Sequence, residues 1–122
     1  MPNKPSLAVV DSYHILRVAV GQVLEILGFN VIILANNAED FIEQVNFTGA
    51  IPEVCLLDID TPSIKEFSVA KRIKEKHPGI KILAYTVYEK EYKKISEYGI
   101  DVFLKKSYSP EEIKSNILKL FP

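Results

Sequence analysis

The sequence predicts an α/β domain built on one doubly wound parallel sheet, and three observations predict it. Five short runs rich in Val, Ile and Leu lack polar alternation, as strands covered on both faces do. Between them, apolar residues recur at helical spacing in segments closed by glycine or proline. The chain has 122 residues and is 48% hydrophobic. That suffices for one domain, residues 1–122, burying roughly two-thirds of its unfolded surface without disulfide or structural metal.

The strands fall at 7–10, 30–34, 54–57, 81–85 and 102–104. The first helix, about 14–27, gathers Ile15, Leu16, Ala19, Val20, Val23, Leu24, Ile26 and Leu27 on one half of its wheel, and Gly28 ends it. That half is expected to face the core rather than a dimer partner, and Val18, on the polar side, has no role in this scheme. The second helix, about 37–47, carries Glu39 and Asp40 in its first turn, where the helix dipole favours acids. The third, about 64–77, buries Ile64, Phe67, Ala70 and Ile73 and stops at Pro78-Gly79. A short fourth helix, about 89–98, bears tyrosines and closes at Gly99. The fifth opens on Ser109-Pro110-Glu111-Glu112, a capping box with proline at its first position, and buries Ile113, Ile117 and Leu120.

Five βα units require right-handed crossovers, with helices on both faces of the sheet. The common order for five such strands is 2-1-3-4-5, with its switch point between strands 1 and 3. Ligands bind there, at the strands' C-terminal edge. Strand 1 ends in Asp11 and strand 3 in Asp58, so two acids fall where topology alone places a site.

Charge and composition narrow the classes further. Residues 1–61 carry two Lys or Arg against eight Asp or Glu, and residues 62–122 carry thirteen against eight. The lysines of the second half alternate with glutamates, the pattern of solvated helix faces, so direct nucleic-acid binding is not expected. The runs of apolar residues are too short to cross a bilayer, and the first residues have no signal-like apolar stretch. The single Cys55 reads as a small core residue. All of this fits a cytoplasmic protein.

Asp58 follows Val54-Cys55-Leu56-Leu57 and precedes Ile59-Asp60-Thr61-Pro62, which places a carboxylate at the tip of a buried strand. An unpaired buried carboxylate costs several kcal/mol, so it implies a cation, exposed chemistry or both. Strand 4 ends in Thr86 and strand 5 runs into Lys105-Lys106. Two carboxylates, a hydroxyl and an ammonium at one edge suit phosphoryl transfer to Asp58, with Mg²⁺ between the acids. Asp11 could instead cap the first helix. Strand alternation lets only one of Lys105 and Lys106 point at the site.

On these residues the chain resembles the receiver domain of two-component response regulators. The motifs are Val-Val-Asp11, Leu56-Leu57-Asp58-Ile59-x-x-Pro62, Leu83-Ala84-Tyr85-Thr86 and Phe103-Leu104-Lys105-Lys106 before Ser109-Pro110. Its start, Asp11 to Arg17, and its Ser-Pro-Glu-Glu helix are most similar to regulators of the LuxR/NarL type. The resemblance implies a flavodoxin-like (βα)5 fold with Asp58 as phosphoacceptor. It implies Asp11, Asp58 and the backbone carbonyl of Asp60 as metal ligands, Lys106 as the phosphate-binding lysine, and Thr86 and Phe103 as switch residues. A sensor histidine kinase or phosphotransfer protein would donate the phosphoryl group. The surface of the fourth helix, fifth strand and fifth helix would relay the change, and a homodimer is compatible with it. Enzymatic turnover is not implied beyond slow self-dephosphorylation.

Several residues depart from the family pattern. Ser12 stands where a second acid is usual, so Mg²⁺ binding is expected to be weak. Val87 replaces a small residue after the threonine, and the loop 61–66 has no glycine. Asp60 and Tyr88 hold positions that tune dephosphorylation. The missing acid keeps a second reading open, a phosphorylation-independent pseudo-receiver acting as an interaction module. The Asp58-x-Asp60 pair with Thr86 and Lys106 is also similar to haloacid dehalogenase-type phosphatases. That likeness fails on Thr61, on the strand that bears Asp58 and on the lack of a later acidic pair. His14, without any Cys/His spacing, is expected to face solvent.

Overall fold

The computed structural model describes residues 4–59, 64–86, 95–106 and 108–121. Five parallel strands, β1 (Ser6–Val10), β2 (Asn30–Ala35), β3 (Val54–Ile59), β4 (Lys81–Thr86) and β5 (Val102–Lys105), form one sheet. Its order is β2-β1-β3-β4-β5, as the switch-point argument requires. Helices α1 (His14–Ile26), α2 (Ala38–Thr48), α3 (Ile64–Lys76) and α4 (Pro110–Leu118) cover it.

Side-chain alternation splits the core in two. Ala8, Val10, Cys55, Leu57, Ile82 and Ala84 face Phe41 and Val45 of α2 and Phe67, Ala70 and Ile73 of α3. Leu7, Val9, Val54, Leu56, Leu83 and Leu104 face Leu24 of α1 and Ile113 and Ile117 of α4. Cys55 is a buried free thiol, and burial pushes its pKa up to about 12, which makes it the core residue its context suggests.

Local signals set the ends of the helices. Asn37 caps α2 by accepting from the Asp40 amide at 2.8 Å, above the acidic first turn. Ser109 and Glu112 complete the capping box of α4, with Pro110 in its first turn.

Two expectations need correction, and a further one, given second here, lies mostly outside the described residues. First, β3 does not stop at Leu57: Asp58 and Ile59 stay in the ladder, paired with Tyr85 and Thr86 of β4. Asp58 thus lies inside the last turn of pleat rather than beyond it. Second, the fourth helix at 89–98 is described only at its end, where Ile95–Tyr98 form a 3-10 helix. Residues 89–94 lie outside the described residues, as do Asp60, Thr61, Pro62, Val87, Tyr88 and Tyr92 and the side chain of Ile64. The 3-10 helix ends at Gly99, whose φ of +83° and close approach to Lys74 exclude a β-carbon.

Third, α1 turns much of its apolar half outward. Only Gly21 and Leu24 are buried, whereas Ile15 is 80% and Ile26 84% exposed. Two contacts set this rotation. Arg17 donates to the Asp11 carbonyl at 2.7 Å and to Asn36 Oδ1 at 2.9 Å, which holds that side of the helix against the sheet edge. Gly21 lies so close to Leu34 of β2 that a β-carbon would meet it at 3.1 Å. Val18, unassigned from sequence, lines the apolar groove between α1 and β2.

At the edge of the sheet opposite the switch point, Lys74 Nζ donates to the Ile80 carbonyl at 2.7 Å and to Asp101 Oδ2 at 2.8 Å. The same carboxylate oxygen accepts from the Ile82 amide at 2.8 Å. One acid therefore joins α3, β4 and the entry to β5. Asp101→Ala strips two donors of their acceptor and is expected to lower stability by about 1–3 kcal/mol. Urea unfolding measures this, and an unchanged midpoint would contradict it.

Candidate functional site

The C-terminal edge of the sheet brings together most of the residues the sequence singles out. Asp11 ends β1 as a buried residue, and its amide donates to the Ala35 carbonyl of β2 at 3.0 Å. Its carboxylate Oδ1 accepts from the Tyr13 amide at 2.9 Å, just ahead of α1. This bond leads into the helix without capping its first turn, because the residue at the N-cap is Tyr13. Ser12 beside it is exposed.

Asp58 forms an ion pair with Lys106, its side chain 6% exposed and the lysine's 22%. The choice between the two lysines follows from strand alternation. Leu104 faces the α1/α4 side with Val54 and Leu56, so Lys106 shares the parity of Asp58 and Lys105 does not. The Lys106 amide donates to the Thr86 carbonyl at 2.7 Å, which extends the β4–β5 pairing past Lys105. The Lys106 ammonium also lies 5.4 Å from the Tyr85 ring centroid.

Tyr85 feels its burial and both charges of the pair. Burial raises its phenol pKa above the ordinary 10.0, the Lys106 charge lowers it, and the Asp58 charge raises it. Thr86, the last residue of β4, is buried, and Phe103 is half-buried against the α2/α3 core.

A cavity of about 250 Å³ opens over this edge, lined by Asp11, Ser12 and Asp58 together with Asn36, Lys65 and Glu66. The last three were missed in the sequence. Asn36 follows β2, whose place beside β1 is a matter of topology, and Lys65 and Glu66 sit in the first turn of α3. The only available signal was that 61–66 lacks the glycines of its family, which leaves side chains at the mouth. Arg17 was missed as well, although its place one turn into α1 puts it within reach of the strand tip.

The donors on this cavity are hard oxygens: the Asp11 and Asp58 carboxylates at the strand tips, the Ser12 hydroxyl, and at the mouth the Glu66 carboxylate and the Asn36 amide. Among the described residues no group of three His, Cys, Asp or Glu side chains could enclose a metal. Mg²⁺ is held by one or two carboxylates and keeps several waters, so this set fits that ion and not a fully protein-ligated one. Asp60, whose carbonyl is the third expected ligand, lies outside the described residues.

The fold and this edge define a receiver-type α/β domain, and comparison with known proteins agrees. The profile of the response regulator receiver domain matches residues 7–118, so the chain belongs to that family. Phosphorylation and Mg²⁺ binding are typical of the family. The chain is 32% identical over 114 residues to a cyclic di-GMP phosphodiesterase of Thermotoga maritima, covering 92% of this chain and 30% of that protein. The chain thus spans under a third of that relative. Among solved structures it is similar to the response regulator TrrA of T. maritima in complex with Mg²⁺–BeF. Identity there is 26%, the TM-score 0.75, and coverage 96% of this chain and 99% of that one. A LuxR-family DNA-binding response regulator of Staphylococcus aureus gives 26% identity and a TM-score of 0.76, covering 95% and 98%.

Two outcomes check the geometry. A double-mutant cycle of Asp58→Asn and Lys106→Met is expected to show about 1–3 kcal/mol of coupling in urea unfolding, since each single change removes a charge from a mostly desolvated pair. Additive effects would mean that the pair is not formed in solution. For Tyr85, the raised pKa means that the folded state holds the phenolic proton more tightly than the unfolded chain. Its contribution is complete below the ordinary pKa of 10.0 and is lost as pH rises through the folded value. Melting temperature should therefore fall more steeply above about pH 10 for wild type than for Tyr85→Phe. Parallel curves would refute the assignment.

Proposed function

We propose that this receiver domain is a phosphorylation-dependent switch with Asp58 as its phosphoacceptor. The observation that carries the reading is the ion pair of Lys106 with Asp58, the carboxylate that lines one cavity with Asp11 and Ser12. An Asp58 oxygen attacks the phosphorus of a phosphorylated histidine on a kinase or phosphotransfer protein. The P–N bond breaks, the P–O bond of an acyl phosphate forms, and the donor imidazole leaves with a proton. Bound Mg²⁺ would offset charge on the phosphoryl oxygens, held by Asp11, Asp58 and the Asp60 carbonyl.

Lys106 already lies beside the acceptor oxygen, so its ammonium passes from the carboxylate to the transferred oxygens with little movement. The Thr86 hydroxyl would then take one of those oxygens, and Phe103 would turn further inward. Segment 87–98, β5 and α4 would carry the change to a partner. Turnover is limited to slow self-dephosphorylation, the domain acts in the cytoplasm, and its output does not involve direct contact with nucleic acid.

One observation favours the second reading, a phosphorylation-independent interaction module: the position beside Asp11 holds only the exposed, neutral Ser12. Intact-mass analysis after treatment with acetyl phosphate and Mg²⁺ separates the two. A phosphoryl adduct on wild type and none on Asp58→Asn is the expected result. No adduct on either, with equal partner binding by wild type and Asp58→Ala, would overturn the switch in favour of the module.

A further inference from the structure

Lys106 reaches Asp58 across a whole strand. The register sets Asp58 of β3 opposite Tyr85 of β4, and Tyr85 opposite Leu104 of β5. Acid and lysine therefore stand on strands separated by a third, roughly 9–10 Å apart in the plane of the sheet. Lys106 also lies two residues beyond Leu104, so its side chain leans back along β5 as well as across β4. The residue of β4 on that face, along this path, is Tyr85.

The crossing takes the ammonium largely out of water. Only 22% of the Lys106 side chain and 6% of that of Asp58 are exposed. Over an aliphatic residue the ammonium would lose hydration and gain nothing in return. An aromatic ring differs, because its face is the negative side of a quadrupole. It attracts a cation within about 6 Å of the centroid, and does so more strongly where water is excluded. The Lys106 ammonium lies over the Tyr85 ring, 5.4 Å from its centroid.

The ring has supports of its own. It packs against the α1/α4 core and lines a small apolar groove with Val20, Leu56 and Ile113. Burial raises its phenol pKa, and beneath that effect Lys106 lowers it and Asp58 raises it, as befits a ring beside both charges.

We propose that Tyr85 is a positioning residue whose ring face carries the Lys106 ammonium across β4 and holds it against Asp58. Its effect on phosphoryl transfer rests on the phosphoacceptor reading of Asp58, whereas the placement of Lys106 does not. When the phosphoryl group arrives, the ammonium moves from the carboxylate to the transferred oxygens while staying over the same ring. It need not be recovered from water. The Tyr85 hydroxyl has no part in this, so phenylalanine would present the same face. Leucine would keep the position apolar without the quadrupole.

Two readouts test this role. In NMR spectra of the whole chain without a phosphodonor, the ε-methylene protons of Lys106 should carry an upfield ring-current shift. That shift should persist in Tyr85→Phe and vanish in Tyr85→Leu, while the protons of Lys105, on the other side of the pleat, move in neither. With acetyl phosphate and Mg²⁺, the adduct should form about five- to tenfold more slowly on Tyr85→Leu than on wild type, and within about twofold of wild type on Tyr85→Phe. A Lys106 shift that is absent from wild type, or that survives in Tyr85→Leu, would overturn the proposal. So would an unchanged rate in Tyr85→Leu. An equal loss of rate in both variants would overturn it too, by placing the effect in the hydroxyl or in packing. If wild type forms no adduct, the phosphoacceptor reading fails, and the ring-current shift alone decides whether Tyr85 holds Lys106.

Discussion

Asp58 and Lys106 form an ion pair that depends on the way the sheet of this domain is built. A carboxylate with 6% of its side chain exposed sits where water can no longer stabilise it, at a cost of several kcal/mol if left alone. The lysine offsets that cost only because β5 delivers it on the same side of the pleat. That delivery depends on the pairing of β4 with β5, Thr86 opposite Lys105, and on one further bond from the Lys106 amide to the Thr86 carbonyl. Helices cover both faces of the parallel sheet, so the C-terminal edge is the place where such charges can meet. Strand ends, helix first turns and the cavity all converge there for that reason.

The opposite side of β4 is held by a different acid. Asp101 joins Lys74 of α3 to the backbone of β4 and to the entry of β5, with Gly99 packed tightly beneath the lysine stem. This clamp ties the entry of β5 to α3 and β4. Membership of the receiver family and the likeness to the T. maritima and S. aureus regulators rest on the same framework. The departures at Ser12, Lys65 and Glu66 give this chain a cavity mouth of its own.

The helix at the other edge shows how far periodicity reaches. The wheel of α1 correctly identified an apolar half, but only Gly21 and Leu24 became buried. Hydrophobic spacing reports that a face is apolar and is silent on what covers it. The orientation came from Arg17, tied to Asp11 and Asn36, and from the close approach of Gly21 to Leu34, both long-range contacts.

By itself the sequence determined the α/β class, the strand order, the cap of α4, and the gathering of Asp11, Asp58, Thr86 and Lys106 at one edge. Each of these depends on short-range patterns: continuous apolar runs, Ser109 at a helix start, and chain-order rules for parallel sheets. The tertiary structure decided that β3 carries Asp58 within its ladder, opposite Tyr85 of β4. It also decided that Asn36, Lys65 and Glu66 line the cavity and that α1 turns much of its apolar half to solvent. Those outcomes depend on strand register, on the rotation of helices about their axes and on contacts between residues far apart in the chain. Local patterning constrains none of the three.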